Sequence, residues 1–186
     1  MNTQIASQVI VAPTIDPDFL LTHLEYAQWA TQKTLAMIDK LPAEALTRSL
    51  VSSFPSILET LRHSFHWDKY YLTHLQGGNV EVGEIVPPTT YDALKQEWAT
   101  VHADLQAWTK ANLPTKQNQM LSGWADWPVW MVVMQVANHA THHLGQLVTL
   151  IRQAGYAPQQ ADWTDLILYY LHRYPQNLPI SDKAGH

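Results

Sequence analysis

The chain has 186 residues, of which 46% are hydrophobic and 15% are charged. This length and composition are typical of one globular domain and exclude an intrinsically disordered chain. The formal net charge is -5 and the Lys and Arg residues are not clustered. Nucleic acid is therefore not expected as a partner, because phosphate binding requires a basic surface.

Neither a membrane span nor an exported chain is predicted. The longest apolar stretch, residues 128–137, is shorter than the roughly 20 residues that cross a bilayer. Residues 1–11 lack the basic lead-in and the long hydrophobic run of a secretory signal. The chain contains no cysteine, which fits a reducing compartment. We therefore expect a cytoplasmic protein.

The first two helical patterns are marked by their capping residues. Residues 18–40 form the first, which Asp16 caps and Pro17 opens. The second begins between residues 53 and 56, where Ser56 and Glu59 have capping-box spacing, and it ends before Gly77. The linker that follows, residues 77–90, contains adjacent glycines and adjacent prolines, which predicts irregular structure.

Two further long patterns and one short pattern complete an all-α prediction. The third helix is predicted from apolar residues that recur every three or four positions, namely Tyr91, Leu94, Trp98, Val101, Leu105 and Trp108. The fourth spans residues 127–154 and ends at Gly155. A shorter helix over residues 162–172 is expected to cover one end of the long helices. We predict a single domain over residues 1–186, with an N-terminal arm at residues 1–16 and a C-terminal tail at residues 173–186.

Residues 138–147 place three histidines within five positions of the fourth predicted helix. His139 and His143 are four apart, so both imidazoles leave the same helix face about one turn apart and can bind one metal ion. Apart from these two residues, their stripe is apolar: Val132, Val136, His139, His143, Leu147 and Leu150. His142 falls in a polar row instead, and we expect it to face solvent or to support the site from outside.

A third ligand is expected from residues 61–72, the other histidine-rich segment. His66 shares a helix row with charged residues, whereas His63 borders an apolar stripe, so His63 is the better third ligand. The alternative is that His139 and His143 form a structural polar pair that is hydrogen-bonded within the core. Burial of two unpaired imidazoles would be costly, which favours the metal site.

The segment Asn138-His139-Ala140-Thr141-His142-His143-Leu144-Gly145-Gln146 resembles the N-H-x-x-H-H-x-G-Q signature of the DinB (DinB/YfiT-like) family of metalloenzymes. The resemblance extends over residues 18–171, through the sets Tyr26 and Trp29, His63 with Trp67, Tyr70 and Tyr71, and residues 165–167. One departure is Leu144, where an arginine is common in the family. A second is the cluster Trp124, Trp127 and Trp130, which matches no family feature.

The resemblance implies a four-helix bundle whose second and fourth helices supply a metal triad, here His63, His139 and His143. Zinc or nickel is the expected ion, with iron as an alternative, because imidazole accepts several transition metals. The resemblance also implies a homodimer. The leading function is that of a transferase or isomerase, in which a low-molecular-weight thiol attacks an electrophile near Trp67, Tyr70 and Tyr71.

Two other functions stay open, and no catalytic residue can be assigned. A metal-dependent hydrolase would use a carboxylate as general base; Asp68 and Glu25 are the candidates, although both are expected at the surface or behind the ligands. A non-catalytic metal-binding stress protein would use the ion to tie two helices together. A closed, four-donor coordination sphere would favour this last function. His74 is expected to lie too far along its helix to share the ion.

Overall fold

The computed structural model describes residues 15–121 and 127–175, and this part of the chain is all-α. A single isolated bridge between Met120 and Pro128 is the only strand-like pairing in these ranges. Two short 3-10 helices lie at Ala43–Leu46 and Gln160–Asp162. The α-helices are α1 (Pro17–Ile38), α2 (Ile57–Leu75), α3 (Tyr91–Lys116), α4 (Val129–Gln153) and α5 (Leu166–Arg173).

The predicted capping residues hold the helix ends. The Asp16 side chain accepts a backbone N–H of the first turn of α1, and Ser56 Oγ accepts the N–H of Glu59 at 3.2 Å. These bonds satisfy donors that a helix leaves unpaired at its N-terminus. Gly77 and Gly155 follow α2 and α4 with φ of +86° and +99°, a conformation that favours glycine.

The four long helices form a bundle. α1 and α2 each pack against both α3 and α4, so the order around the bundle is α1, α4, α2, α3. α1 and α4 pack around three small buried residues, Ala27, Ala137 and Ala140. One continuous apolar core contains residues of all four long helices, together with Leu46, Ile85 and, from α5, Tyr169. The predicted four-helix architecture is therefore confirmed.

The predicted seam of α3 faces this core. Leu94, Trp98, Val101 and Leu105 are buried, whereas Tyr91, at the start of the helix, is half-buried. Trp108 is half-buried as well. The aromatic residues of this stripe are therefore packing residues, as their helical spacing indicates.

The short C-terminal helix begins later than predicted. The prediction placed its start at residue 162, but α5 begins at Leu166. Asp162 instead ends a 3-10 helix, where its carboxylate accepts the backbone N–H of Gln159 and pairs with Lys40. The backbone is extended at Trp163 (φ -63°, ψ 141°), which separates the two helices. α5 packs on α1 with Tyr169 buried against it.

The two predicted terminal segments are described only in part. Most of the predicted arm, residues 1–16, and most of the predicted tail, residues 173–186, lie outside the described residues, so the domain boundaries stay a prediction. None of the helices within residues 15–121 and 127–175 combines the length and apolarity that crossing a membrane requires.

Candidate metal centre

Two neighbouring helices bring three histidines together. α2 supplies His63 and α4 supplies His139 and His143, and one ring nitrogen from each residue lies within 4.8 Å of the others. The Nε2 atoms of His139 and His143 are 3.0 Å apart. The ring of His63 lies 4.7 Å from that of His143 and 5.3 Å from that of His139, centroid to centroid. The sequence selected these three residues, and tertiary packing places them at one point.

The three imidazoles are neutral at physiological pH. Burial and the neighbouring charge of His143 lower the pKa of His63 to about 4. The same two causes lower the pKa of His139 to about 4, against the opposing charge of Asp68. Burial also lowers the pKa of His143. Three neutral rings present lone pairs rather than protons, which is the form that binds a metal ion.

Gln146 orients His143. The Nδ1–H of His143 donates to Gln146 Oε1 at 2.8 Å, and Gln146 Nε2 donates to Ser53 Oγ at 3.2 Å. With its proton on Nδ1, His143 turns the Nε2 lone pair toward the other two histidines. Sequence reasoning assigned no role to Gln146, although its position three residues after His143 on α4 was a usable signal.

Aromatic side chains surround the cluster. Phe54 lies in the segment before α2, and its ring is 4.3 Å from that of His63 and 5.9 Å from that of His143. Trp67 lies 6.3 Å from His63 and 6.2 Å from His139. No local pattern indicated Phe54, because it comes from an irregular segment that only the fold places against α4.

The predicted aromatic substrate face is corrected at two of its three positions. Trp67 is half-buried beside the histidines, as expected for a wall of the site. Tyr70 and Tyr71 are 2% and 5% exposed. Both belong to the apolar core, so neither is accessible to a substrate.

The remaining histidines of the two segments do not join the group of three ring nitrogens. His142 is exposed on α4, as predicted, with its Nε2 3.1 Å from Gln146 Nε2. His66 Nδ1 lies 2.9 Å from the backbone oxygen of Ile85. His74 is buried with its Nε2 3.2 Å from the backbone oxygen of Val80. Helical phase and distance along the helix therefore distinguished the three histidines of the triad from these other three in the same way as the structure does.

The two candidate carboxylates have different positions. Glu25 pairs with Arg173 at 3.3 Å and accepts the hydroxyl of Tyr169, so its role is to hold α5. Asp68 was expected at the surface or behind the ligands, and the expectation of a surface position is wrong because it is 2% exposed. Its helix position was a usable signal, since it continues the apolar row of Leu61, Phe65 and Leu72.

The two features that depart from the family pattern differ in burial. Leu144 is 6% exposed and belongs to the apolar core. Trp127 is 38% exposed, and Trp130 is half-buried against the core. Trp124 lies outside the described residues, so the predicted cluster is seen only in part.

The donor set fits a transition-metal ion. Ligand nitrogens of a tetrahedral zinc site lie about 2.0–2.1 Å from the ion, which places them about 3.3 Å from one another. The 3.0 Å separation in the His139/His143 pair is close to this value, and a ring nitrogen of His63 lies within 4.8 Å of both. Within residues 15–121 and 127–175 no further histidine or carboxylate joins the group. Three protein ligands leave a coordination position open, which is typical of catalytic rather than structural zinc sites.

Comparison with known proteins identifies the family of the chain. The DinB family model matches residues 16–170, so the chain belongs to the DinB family. The chain is also similar to Protein DinB of Bacillus subtilis (strain 168), with 27% identity over 158 residues that cover 78% of this chain and 92% of the relative. No solved structure gives a significant match.

Proposed function

We propose that this DinB-family protein binds a divalent transition metal through His63, His139 and His143 and uses it in a reaction between a small thiol and an electrophile. The observation that carries the proposal is the convergence of three neutral imidazoles from two helices. Zinc or nickel is the favoured ion, with iron as an alternative, because imidazole is a suitable ligand for all three.

The side chains around the triad would orient its ligands and line the substrate position. Gln146 keeps the His143 proton on Nδ1, so Nε2 stays available as a ligand. Phe54 and Trp67 provide apolar walls that limit water and can orient a substrate. When bound, the ion would lower the pKa of a thiol or water held in the open position.

The nucleophile must come from outside the protein in this scheme. The chain contains no cysteine, and a thiol that binds at the open position would supply the sulfur. This supports a transferase or isomerase that uses a low-molecular-weight thiol. The reaction class rests on the resemblance to the family.

A metal-dependent hydrolase is the second candidate, because Asp68 is an inward carboxylate near the histidines. Its charge acts on the pKa of both His139 and His143. However, Asp68 is 2% exposed and one of its oxygens is bonded to α3. A general base must reach the water or substrate that it deprotonates, so the thiol reaction is favoured.

Metal content is the first test. The full chain would be purified without a nickel-affinity step, and bound metals would be quantified by mass spectrometry. We expect about one zinc or nickel ion per chain, and loss of that ion in each of the variants His63→Ala, His139→Ala and His143→Ala. A wild-type protein that binds none of the three metals after reconstitution would overturn the proposal.

Turnover is the second test. The metal-loaded protein would be mixed with cysteine or coenzyme A and with monochlorobimane, and thiol consumption would be followed against metal-free protein. Hydrolysis of p-nitrophenyl acetate in the absence of thiol would be measured in parallel. Metal-dependent thiol consumption supports the proposal, whereas hydrolysis alone supports the second candidate. Metal binding without either reaction would support a non-catalytic metal-binding stress protein.

The assembly and the location of the protein are proposed from its exposed apolar residues and from its composition. We propose a homodimer in the cytoplasm. Large apolar side chains are exposed on neighbouring helices, including Phe19 of α1 at 53% and Met131 of α4 at 37%, and such a surface can mediate association. Light scattering of the purified chain measures its mass, and a monomer at micromolar concentration would contradict the dimer.

A further inference from the structure

Asp68 and His139 each have an unpaired polar atom inside the bundle. Asp68 is 2% exposed, and its Oδ1 has no hydrogen-bond partner within the described part of the chain. The same holds for the Nδ1 atom of His139. Buried polar atoms in native proteins are nearly always hydrogen-bonded, so two such atoms near one site require an explanation.

The carboxylate of Asp68 is held in place from the side of α3. Its Oδ2 accepts the indole N–H of Trp98 at 2.8 Å and lies 3.2 Å from His102 Nε2. These contacts use one oxygen and leave Oδ1 available for a different partner. Asp68 follows Trp67 on α2, and the ring of Trp67 contacts that of His139. The residue next to Asp68 on α2 therefore contacts the triad, and the charge of Asp68 acts on the pKa of His139 and His143.

The negative charge of Asp68 acts on the pKa of two histidines of the triad. Burial and the charge of His143 lower the pKa of His139, and Asp68 acts in the opposite direction. Asp68 also opposes the lowering of the pKa of His143. Electrostatic interaction with two of the three histidines is consistent with a carboxylate directly behind them.

Metal binding through Nε2 of His139 requires a hydrogen-bond acceptor for its Nδ1 proton. An imidazole that binds a metal through Nε2 carries its proton on Nδ1, and that proton is usually donated to a carboxylate, a carbonyl or a water. His143 already donates its Nδ1 proton to Gln146. His139 has no such partner, and Asp68 has the unpaired acceptor.

We propose that Asp68 is the positioning residue for His139, and that its Oδ1 accepts the Nδ1 proton of His139 directly or through one bridging water. This inference rests on the proposed metal site. Asp68 acts through His139 and does not contact the substrate. The two ligands of α4 are then oriented by different means, His143 by Gln146 and His139 by Asp68.

The variant Asp68→Asn tests the proposal. An amide has only one acceptor oxygen, so it cannot serve both the Trp98 N–H and the His139 N–H. We expect zinc affinity to fall about 10- to 100-fold, measured by competition with a chelating dye on protein that circular dichroism shows to be folded. The matched control is Asp104→Asn, which alters an exposed carboxylate on α3 and should leave zinc affinity unchanged.

A double-mutant cycle separates positioning from a general structural effect. If Asp68 acts through His139, Asp68→Asn should change zinc affinity less than about twofold once His139→Ala is already present. An equal loss in both backgrounds would overturn the proposal, and so would wild-type affinity in Asp68→Asn. Failure of the wild-type protein to bind zinc would instead remove the proposed function itself, so the two failures are distinguishable.

A measurement on the unmodified protein does not depend on the folding of a variant. In zinc-loaded wild-type protein, long-range proton–nitrogen correlation spectra report which ring nitrogen of each histidine carries a proton. We expect a slowly exchanging Nδ1 proton on His139. A proton on Nε2, or an Nδ1 proton that exchanges as fast as one in open solvent, would overturn the proposal.

Discussion

Replacement of His143 with alanine is expected to weaken zinc binding by roughly two to three orders of magnitude. His143 is 5% exposed, and its ring is held between His139 and Gln146 before any metal arrives. Zinc sites with four protein ligands bind with about 10–16 kcal/mol, or about 2.5–4 kcal/mol for each ligand. Because about 1.4 kcal/mol corresponds to a factor of ten, the loss of one ligand gives the stated change.

Thermal unfolding measures this effect. At a free zinc concentration of about 100 times the wild-type Kd, binding stabilises the folded protein by about 2.7 kcal/mol. For a chain of this size, that free energy raises the Tm by about 5–11 °C. If the Kd of His143→Ala is about 100-fold higher, the same zinc concentration stabilises it by about 0.4 kcal/mol, and the Tm rises by only about 1–2 °C.

His142 provides the matched control. It is the preceding residue on the same helix, but it is exposed, so His142→Ala should keep the wild-type Tm shift and metal content. Loss of zinc in His142→Ala with retention in His143→Ala would show that the helical assignment is wrong. A full Tm shift in both variants would refute the ligand set.

Gln146→Ala is expected to weaken zinc binding about 10- to 100-fold, because it removes the hydrogen-bond acceptor of a ligand ring; a chelator competition that gives unchanged affinity would contradict this role. The metal-free protein should lose stability as the pH falls from about 6.5 to about 4, because burial lowers the pKa of His63 and His139 to about 4 in the folded state. The unfolded chain then binds more protons than the folded chain in this window, and urea titrations with constant unfolding free energy across it would refute the reasoning. Leu61→Ala should reduce the free energy of unfolding by about 2–5 kcal/mol, since Leu61 is fully buried, and urea denaturation that gives less than about 1 kcal/mol would be inconsistent with that packing.

Local patterns predicted most of the helices. Helix starts follow from side chains such as Asp16 and Ser56, which pair with N–H groups only two or three residues away. The termination at Gly155 is equally local, because a positive φ is inexpensive for glycine. The predicted start of α5 was wrong: the backbone is extended at Trp163, and Asp162 is bound to Lys40, a residue 122 positions earlier in the chain.

In the candidate site, too, local patterns predicted some features and only the packing of the helices determined others. The shared face of His139 and His143 follows from the helical repeat alone, and so does the exposure of His142. The helix row of His63 favoured it over His66, but its distance from the α4 pair depends on how α2 packs on α4. No local rule determines that packing.

The sequence by itself determined where the helices form and which faces they bury, because both depend on neighbours within one or two turns. Only the tertiary structure decided that Phe54 covers the histidines and that the indole N–H of Trp98 in α3 binds the Asp68 carboxylate. Those relations join residues that are far apart in the chain. They are set by the packing of the whole bundle, in which each helix position depends on all its neighbours.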